Sequence, residues 1–174
     1  MIATLTQFKQ YLQVDMTGTD NDILYANLLI HAQAEIERYI DYPIEEETIT
    51  GEIHDCSKVI IPNQIPINTL VVKYIAEYGV DLSDITLTEN VDYFNYETYI
   101  VFESYTEGRR RIKLSYTGGY DISSVPESLI DAVIKLAAYS LNLNRPLEPN
   151  TEVDTRMPKE IKDIIDPFRK LILP

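Results

Sequence analysis

Histidine, aspartate and cysteine stand side by side at one place in the chain, His54-Asp55-Cys56. Such side chains ligate metal ions or, as a cysteine–histidine pair, carry out nucleophilic catalysis. A metal site needs about four ligands at a recognisable spacing, and a nucleophilic cysteine needs a base that folding brings close to it. The chain has one other histidine, His31, inside a helical pattern. We therefore interpret the triplet as a strand end with a buried cysteine, and we expect no metal, no cofactor and no catalytic residue.

Three consecutive glutamates, Glu45 to Glu47, are the next candidates for chemistry. Paired carboxylates act as general acids and bases when folding sets them against each other. The chain has 28 acidic residues, so adjacent ones arise by chance, and these three follow Pro43 in a loop pattern. We interpret the run as solvated and predict that the protein is not an enzyme.

A glycine pair, Gly118-Gly119, stands between a β-pattern and a helical pattern, which is where phosphate-binding loops occur. Such loops follow the patterns GxGxxG or GxxxxGK[ST], and neither is found at this place. We expect the pair to supply backbone angles that other residues avoid, where the strand turns toward the helix.

Three arginines, Arg109 to Arg111, precede the glycine pair and suggest a nucleic-acid contact. A three-residue hairpin loop over 106–108 explains them differently, because it sets apolar residues opposite each other. A two-residue turn would instead place Phe102 opposite a lysine, so the apolar match favours the first register. Its predicted apolar pairs are Phe102 with Ile112 and Ile100 with Leu114. Its solvated face carries Arg109, Arg111 and Lys113, with Glu103 opposite.

Charge and composition limit the function further. The chain has 174 residues, 45% of them hydrophobic, and 15 basic against 28 acidic residues give a net charge of −13. Proteins that grip DNA do so with clustered Lys and Arg, so this balance disfavours a large DNA-binding face. The single cysteine cannot form an internal disulfide. No signal peptide and no apolar run of the ~20 residues that a membrane helix needs are apparent, so we expect a soluble protein made in the cytoplasm.

The elements that must position these residues begin with a helical region, residues 1–43. Thr4 and Gln7 form a capping-box pattern, and the first helix is expected to stop near Gly18. A second helix is predicted over 23–40 and is expected to be mostly buried. Its apolar positions are Ile23, Leu24, Leu28, Ile30, Ala34 and Tyr39.

β-Branched residues and tyrosines dominate residues 48–120, which we predict as an antiparallel β-rich insert. The expected strands are 50–54, 58–61, 70–78, 99–104 and 110–116. The pattern of residues 124–143 predicts a core helix. Its apolar residues occur on nearly all sides of the helix, which is typical of a helix buried on several sides. A loop over 145–157 and a terminal helix over 158–174 follow. The predicted fold class is α+β, a small bundle of about four helices with the insert between the second and third, in one domain spanning 1–174.

The C-terminal segment keeps one apolar helical stripe almost to its last residue. Six such side chains would contribute ~9–18 kcal/mol if fully buried, and ordering ~15 residues costs a comparable free energy. The segment should therefore become ordered only against an apolar surface, which is either its own domain or another chain. The stripe comprises Ile161, Ile164, Ile165, Phe168, Leu171 and Ile172.

In their order these elements resemble the bacteriophage head–tail connector, or adaptor, family. Tyr116-Thr117-Gly118-Gly119-Tyr120, followed by Val125-Pro126, is similar to the family's junction into its second long helix. The stretches LTQFKQYLQVD, TGTDNDILYANLLIHAQAEIERYI and MPKEIKDIIDPFRKLI are similar to its opening helix, its long ring helix and its proline-headed terminal helix. The resemblance covers nearly the whole chain and is loosest over 61–95.

The resemblance implies a structural virion protein, a homo-oligomeric ring of about twelve copies in the neck. Such a ring joins the portal protein to a tail-side stopper or tail terminator protein and extends the channel through which DNA passes without specific binding. The terminal stripe would contact the portal, while Arg109, Arg111 and Lys113 would contact neighbouring subunits or the channel. Repulsion between acidic copies, which fades over ~8–10 Å at physiological salt, would keep free subunits monomeric until the portal templates them. No cofactor and no membrane are implied.

Two other functions stay open at this point. An acidic protein that mimics DNA and inhibits a nucleic-acid enzyme would explain the charge. Mimics need regular rows of carboxylates, however, and those of this chain are scattered along the sequence. The third alternative is an unrecognised hydrolase that uses His54 or Cys56.

Overall fold

The computed structural model describes residues 1–75, 85–104, 108–143 and 157–170. In these ranges the strands lie between the second and third of four α-helices and pair antiparallel, so the predicted α+β fold class is confirmed. The helices are α1 (Leu5–Leu12), α2 (Asp22–Ile40), α3 (Glu127–Leu143) and α4 (Lys159–Ile165). The strands are β1 (Glu47–Cys56), β2 (Val59–Ile60), β3 (Ile67–Tyr74), β4 (Ile85–Thr86), β5 (Tyr93–Asn95), β6 (Ile100–Phe102) and β7 (Gly108–Gly118).

The chain packs as two compact units. A helical unit comprises residues 1–41 and 122–169, and a β unit comprises residues 42–121 and 170–174. In sequence, residues 42–121 of the β unit are therefore inserted between the two parts of the helical unit. The prediction that residues 1–174 form a single domain stays a prediction.

The first helix begins as its sequence predicts. Thr4 Oγ1 accepts a hydrogen bond from the Gln7 backbone N–H at 3.2 Å, and the Gln7 side chain accepts one from the Thr4 N–H at 2.8 Å. The predicted end near Gly18 is wrong, because Gln13 takes left-handed angles (φ 55°) and closes the helix well before it. The Lys9 ammonium then donates to the Gly18 carbonyl at 2.6 Å, which ties the following segment back to the helix.

The second helix has two different faces. One is buried in the helical unit and comprises Leu28, Leu29, Ala32, Ile36 and Ile40. On other sides of the helix, Ile23 is 80%, Ile30 53% and Leu24 45% exposed. The prediction that this helix is mostly buried is therefore wrong for these three residues. Apolar side chains look alike in the sequence whether they face the core or the solvent, so composition alone does not assign them to a face.

The third helix is apolar nearly all round because it has neighbours on several sides. It contacts α1, α2 and α4. Its buried residues are Leu129, Ala132, Val133, Ile134, Leu136, Ala137 and Ala138. This burial agrees with the all-round pattern of the sequence.

Among the described helices, none has the length and hydropathy needed to cross a membrane.

The described strands of the β unit form two antiparallel sheets. The larger has the strand order β1-β7-β3-β4 and the smaller β2-β6-β5. All five predicted strands occur, although with shifted ends, and the short strands β4 and β5 had no clear signal in the sequence. Both sheets contribute side chains to one hydrophobic core, including Tyr93 and Phe102 from the smaller sheet and Val72 and Leu114 from the larger.

The predicted hairpin between β6 and β7 is wrong. β6 pairs with β2 and β5, whereas β7 pairs with β1 and β3. The pairs Phe102–Ile112 and Ile100–Leu114 therefore do not form, and these four side chains meet instead in the core that the two sheets share. Alternating apolar residues specify an inward face, but the same alternation fits a neighbouring strand or a facing sheet. Residues 106 and 107 of the proposed loop over 106–108 lie outside the described residues.

Candidate assembly surfaces

The residues with the best potential for catalysis form a hydrogen-bonded cluster in the β unit. Glu52 pairs with His54 Nε2 through one carboxylate oxygen and accepts a hydrogen bond from the Tyr116 hydroxyl at 2.6 Å through the other. The Asn63 backbone N–H donates to the same carboxylate at 2.9 Å. The cluster therefore ties β1 to β7 and to the loop after β2.

The pKa values in this cluster fit a structural role. Burial raises the pKa of Glu52, but the hydrogen bonds from His54, Tyr116 and Asn63 outweigh burial and hold the pKa below its ordinary value of 4.5. Burial, together with the hydrogen bond to Glu52, raises the pKa of Tyr116 well above its ordinary value. The carboxylate therefore stays ionised and the phenol stays protonated at neutral pH, and neither is poised to exchange a proton there.

The other sequence candidates for chemistry lie apart from one another. Cys56 is the last residue of β1 and is buried in the core, as the strand-end interpretation predicts. Glu46 and Glu47 are exposed, which agrees with a solvated run. Within the described part of the chain, no three His, Cys, Asp or Glu side chains are grouped so that they could hold a metal ion.

The glycine pair lies in a crowded junction at the end of β7. Gly119 has φ +91°, and a Cβ at this position would lie 2.6 Å from the Glu45 carbonyl oxygen and 2.7 Å from Gln64 Nε2. A Cβ on Gly118 would lie 2.8 Å from the Tyr116 ring. The expected unusual backbone angle therefore occurs at Gly119, and both positions also need the small size of glycine.

Buried polar contacts hold this junction to its surroundings. Gln64 is 2% exposed and donates through Nε2 to the Glu45 carbonyl at 2.7 Å. The Tyr120 N–H donates to the Ile44 carbonyl at 2.8 Å, and the Glu46 N–H donates to the Tyr120 carbonyl at 3.0 Å. Gly118, Gly119 and Tyr120, which belong to the motif that carries the family resemblance, are thus engaged in internal packing.

Two residues of the predicted basic face, Arg111 and Lys113, lie on the larger sheet, although their strand partners differ from the predicted ones. Arg111 Nη1 donates to the Tyr74 hydroxyl at 2.9 Å. Lys113 lies opposite Lys73 on β3 and opposite Ile53 on β1. Arg111 and Lys113 are half-buried and alternate along β7 with the buried core residues. The backbone of Arg109 belongs to β7, whereas its side chain lies outside what the structure describes.

The C-terminal stripe is divided between the interior and the surface of the helical unit. Ile161 and Ile165 are buried, while Ile164 and Phe168 are half-buried. Ile164 lines a cleft of about 570 Å³ whose walls come from α1, α3 and α4. Leu171 and Ile172 lie outside the described residues.

The end of the stripe is anchored to α2. The 3₁₀ turn Asp166–Phe168 follows α4 directly, and Asp166 accepts a hydrogen bond from the Tyr39 hydroxyl at 2.6 Å. The Arg169 guanidinium lies 5.1 Å from the centre of the Tyr39 ring. The hydrogen bond to Asp166 raises the pKa of Tyr39. These contacts hold the 3₁₀ turn and Arg169 against α2.

One surface was missed by sequence reasoning. Ile23 and Ile30 are seven positions apart on α2, which places them on one line along the helix, opposite its buried face. Exposed isoleucines in such a line are not used by the packing of the helical unit. The sequence does show that α2 has many apolar residues, but the sequence analysis assigned all of them to the core.

Comparison with known proteins gives a fold but no close relative. No family model matches the chain, and no curated protein matches it in sequence. A chain in the neck of an empty gene transfer agent particle, computed with C6 symmetry, is similar with a TM-score of 0.59 and 18% identity, covering 99% of this chain and 92% of that one.

Two further structures of such particles agree with the first. A chain of the native gene transfer agent virion has a TM-score of 0.58 and 17% identity, covering 99% of this chain and 92% of that one. A chain of the native neck computed with C12 symmetry has a TM-score of 0.53 and 16% identity, covering 97% of this chain and 88% of that one. At the level of the fold, the resemblance inferred from the sequence is therefore confirmed: the chain is folded, over nearly its whole length, like chains of gene transfer agent particles.

Proposed function

We propose that the protein is a structural component of a virion neck, an adaptor that joins the portal vertex of a phage capsid to the tail and extends the DNA channel. The observation that carries this proposal is the fold shared over nearly the whole length of both chains with neck structures. Those necks were computed with C6 and C12 symmetry, which supports a homo-oligomeric ring of about twelve copies.

The surface chemistry of the chain fits such a conduit. A net charge of −13 gives a wall that repels DNA, so the DNA slides past without specific binding. The cluster around Glu52 and the glycine junction are both explained by internal packing. The proposed role is therefore structural, without catalysis and without a cofactor, in the neck of a virion assembled in the host cytoplasm.

The C-terminal stripe is the proposed portal contact. Its members are Ile161, Ile164, Ile165, Phe168, Leu171 and Ile172. Because Ile161 and Ile165 are buried in the helical unit, they would hold the segment in place. Ile164 and Phe168, which are half-buried, would then present apolar surface to the portal. The opposite end of the ring would meet a tail-side stopper or tail terminator protein, and Arg109, Arg111 and Lys113 would contact neighbouring subunits or the channel.

The proposal is tested by mixing the purified chain with the portal protein encoded in the same genome and imaging the product by electron microscopy. We expect a ring seated on the portal, formed by a chain that sediments as a monomer when alone. Ile164→Asp should reduce the amount of chain recruited by roughly tenfold or more, because it puts a charge into an apolar contact. The matched control is Ile122→Asp, which changes an isoleucine that is already 69% exposed in the same unit and should recruit normally.

Failure of the unmodified chain to bind the portal would overturn the adaptor role. The rival function, an acidic DNA mimic, is tested in parallel by a pull-down with a restriction nuclease. Binding to the nuclease without binding to the portal would favour the mimic. Retention of portal binding after His54→Ala and Cys56→Ala would remove the remaining hydrolase alternative.

A further inference from the structure

The exposed side of α2 combines apolar surface with a lack of charge. Four exposed residues, Ile23, Asn27, Ile30 and Ala34, follow one another at spacings of three or four positions, which places them in one line along the helix. We call these four residues the α2 line. It extends over about 17 Å, since each residue adds about 1.5 Å to a helix. The twelve residues from Ile23 to Ala34 include no Asp, Glu, Lys or Arg.

The packing of the helical unit does not use the α2 line. The opposite side of the helix is the buried one, and it carries Leu28, Leu29 and Ala32 between the two ends of the line. Ile23 is 80% exposed and Ile30 53% exposed, although both are large apolar side chains. Apolar residues that adjoin one another on the surface mark a place where another protein binds.

The net charge of the chain indicates which protein fits. Every copy carries a net charge of −13, so two copies repel each other wherever carboxylates face carboxylates. A basic partner would be attracted to the acidic parts of the surface and would gain nothing from an uncharged one. A second copy approaches closely only where carboxylates are absent, and the α2 line is such a place.

We propose that the α2 line is a contact surface between adjacent copies of this chain in the ring. In a ring each subunit meets its two neighbours through two different surfaces, so the α2 line of one copy packs against another side of the next. Burial of Ile23 and Ile30 drives this association, and the absence of carboxylates keeps the repulsion small. The inference rests on the proposed ring and names residues that join its subunits side by side.

The combined substitution Ile23→Gln and Ile30→Gln tests the contact on the portal. Contacts between neighbours make binding cooperative, so with too little chain the unmodified protein should leave each portal either empty or with a complete ring. The double variant should bind through its terminal stripe one copy at a time. Mass photometry should then show partly occupied portals, and complete rings should need roughly tenfold more chain or more.

Two controls accompany the double variant. Its thermal midpoint should equal that of the unmodified chain, because both substituted side chains are exposed. Ile122→Gln changes an isoleucine of the same unit that is 69% exposed and should leave the all-or-none occupancy unchanged. Complete rings of the double variant at the unmodified concentration would overturn the inference and leave the adaptor role standing. Complete loss of portal binding, as expected for Ile164→Asp, would make the α2 line a portal contact and would also overturn it.

A second measurement does not need the portal. Benzoylphenylalanine is placed at Asn27 or, as the control, at Ile122, and half of the concentrated free chain is labelled with ¹⁵N. Irradiation should give mixed-label cross-links from position 27 well above those from position 122. They should increase several-fold as the salt concentration rises from about 0.1 M to about 1 M, because the screening length falls from about 10 Å to about 3 Å.

The cross-links also separate this inference from the adaptor role. Cross-links from position 27 that do not exceed those from position 122 would contradict the contact between copies. Cross-links that decrease with salt would point to ion pairs and would contradict an uncharged contact. If position 27 cross-links as expected while the unmodified chain does not bind the portal, the adaptor role fails and the contact between copies stands.

Discussion

One strand, β7, carries two regions with opposite properties. At its glycine end, Gly118 and Gly119 are packed so closely against Glu45 and Gln64 that no side chain fits. Five residues before Gly118, Lys113 lies on the outer face of the sheet. It is beside the exposed Ile53 and opposite Lys73. The first region is complete within the subunit, while the second leaves apolar surface of Ile53 exposed to solvent.

This difference separates the residues that identify the fold from those that would make contacts. The glycine end carries the resemblance to a known family, yet its groups are satisfied internally by backbone and Gln64 hydrogen bonds. The outer face carries no recognisable motif, because a contact surface has to match only its own neighbour. A resemblance based on packing residues therefore predicts the fold but does not identify the residues that contact partners.

The largest expected effect is at the glycine end. Gly119→Ala forces a Cβ onto a residue with φ +91° and within 2.6 Å of a carbonyl oxygen. Backbone strain and overpacking together should lower the free energy of unfolding by about 2–5 kcal/mol. Urea denaturation followed by circular dichroism measures this change.

Gly18→Ala is the control for that substitution. Its nearest neighbours would lie 3.7 Å from the added Cβ, which is ordinary contact. It should change the stability by no more than about 0.5 kcal/mol. Equal effects of the two substitutions would show that the junction is not as tightly packed as described.

A smaller effect is expected from the polar cluster beside the junction. The pKa of Glu52 is lowered in the folded chain, so its ionised form stabilises the fold above its ordinary pKa of 4.5. This contribution should disappear as the pH falls below 4.5 through the lowered folded pKa. Glu52→Gln removes the titrating group, so the stability difference between the unmodified chain and this variant should shrink over that acidic range.

Glu47→Gln separates this effect from general acid denaturation, since Glu47 is exposed at the start of β1. Its stability should follow that of the unmodified chain at every pH. The measurement is a series of denaturation curves between neutral pH and the acid limit of folding. A stability difference for Glu52→Gln that does not vary with pH would contradict the assigned direction of the pKa.

Local signals in the sequence predicted the elements but not their partners. The capping box of Thr4 and Gln7 and the proline before α4 act over a few residues, so their effect can be inferred without the rest of the chain. The pairing of β7 with β1 and β3 joins residues far apart in the sequence. The alternation of Ile112 and Leu114 is satisfied equally by the predicted hairpin and by the observed core, so it could not decide between them.

The candidate surfaces were predicted in part for the same reason. Alternation along β7 placed Arg111 and Lys113 on one face, and this holds in the structure. Lys73 was not connected with them, because the hairpin assigned the wrong strand as the neighbour. Ile161 and Ile165 face the interior of the helical unit, and a periodic stripe alone cannot say how much of it is used internally.

The smallest effect is expected on the exposed side of α2. Substitution there tests whether the exposed apolar residues contribute to the stability of the subunit. Ile30→Gln keeps a good helix former at a position that is 53% exposed. It should change the free energy of unfolding by no more than about 0.5 kcal/mol. Ile36→Ala on the buried face of the same helix should cost about 2–5 kcal/mol. Denaturation of both variants side by side checks the contrast, and a large loss for Ile30→Gln would mean that this side of α2 is covered within the subunit.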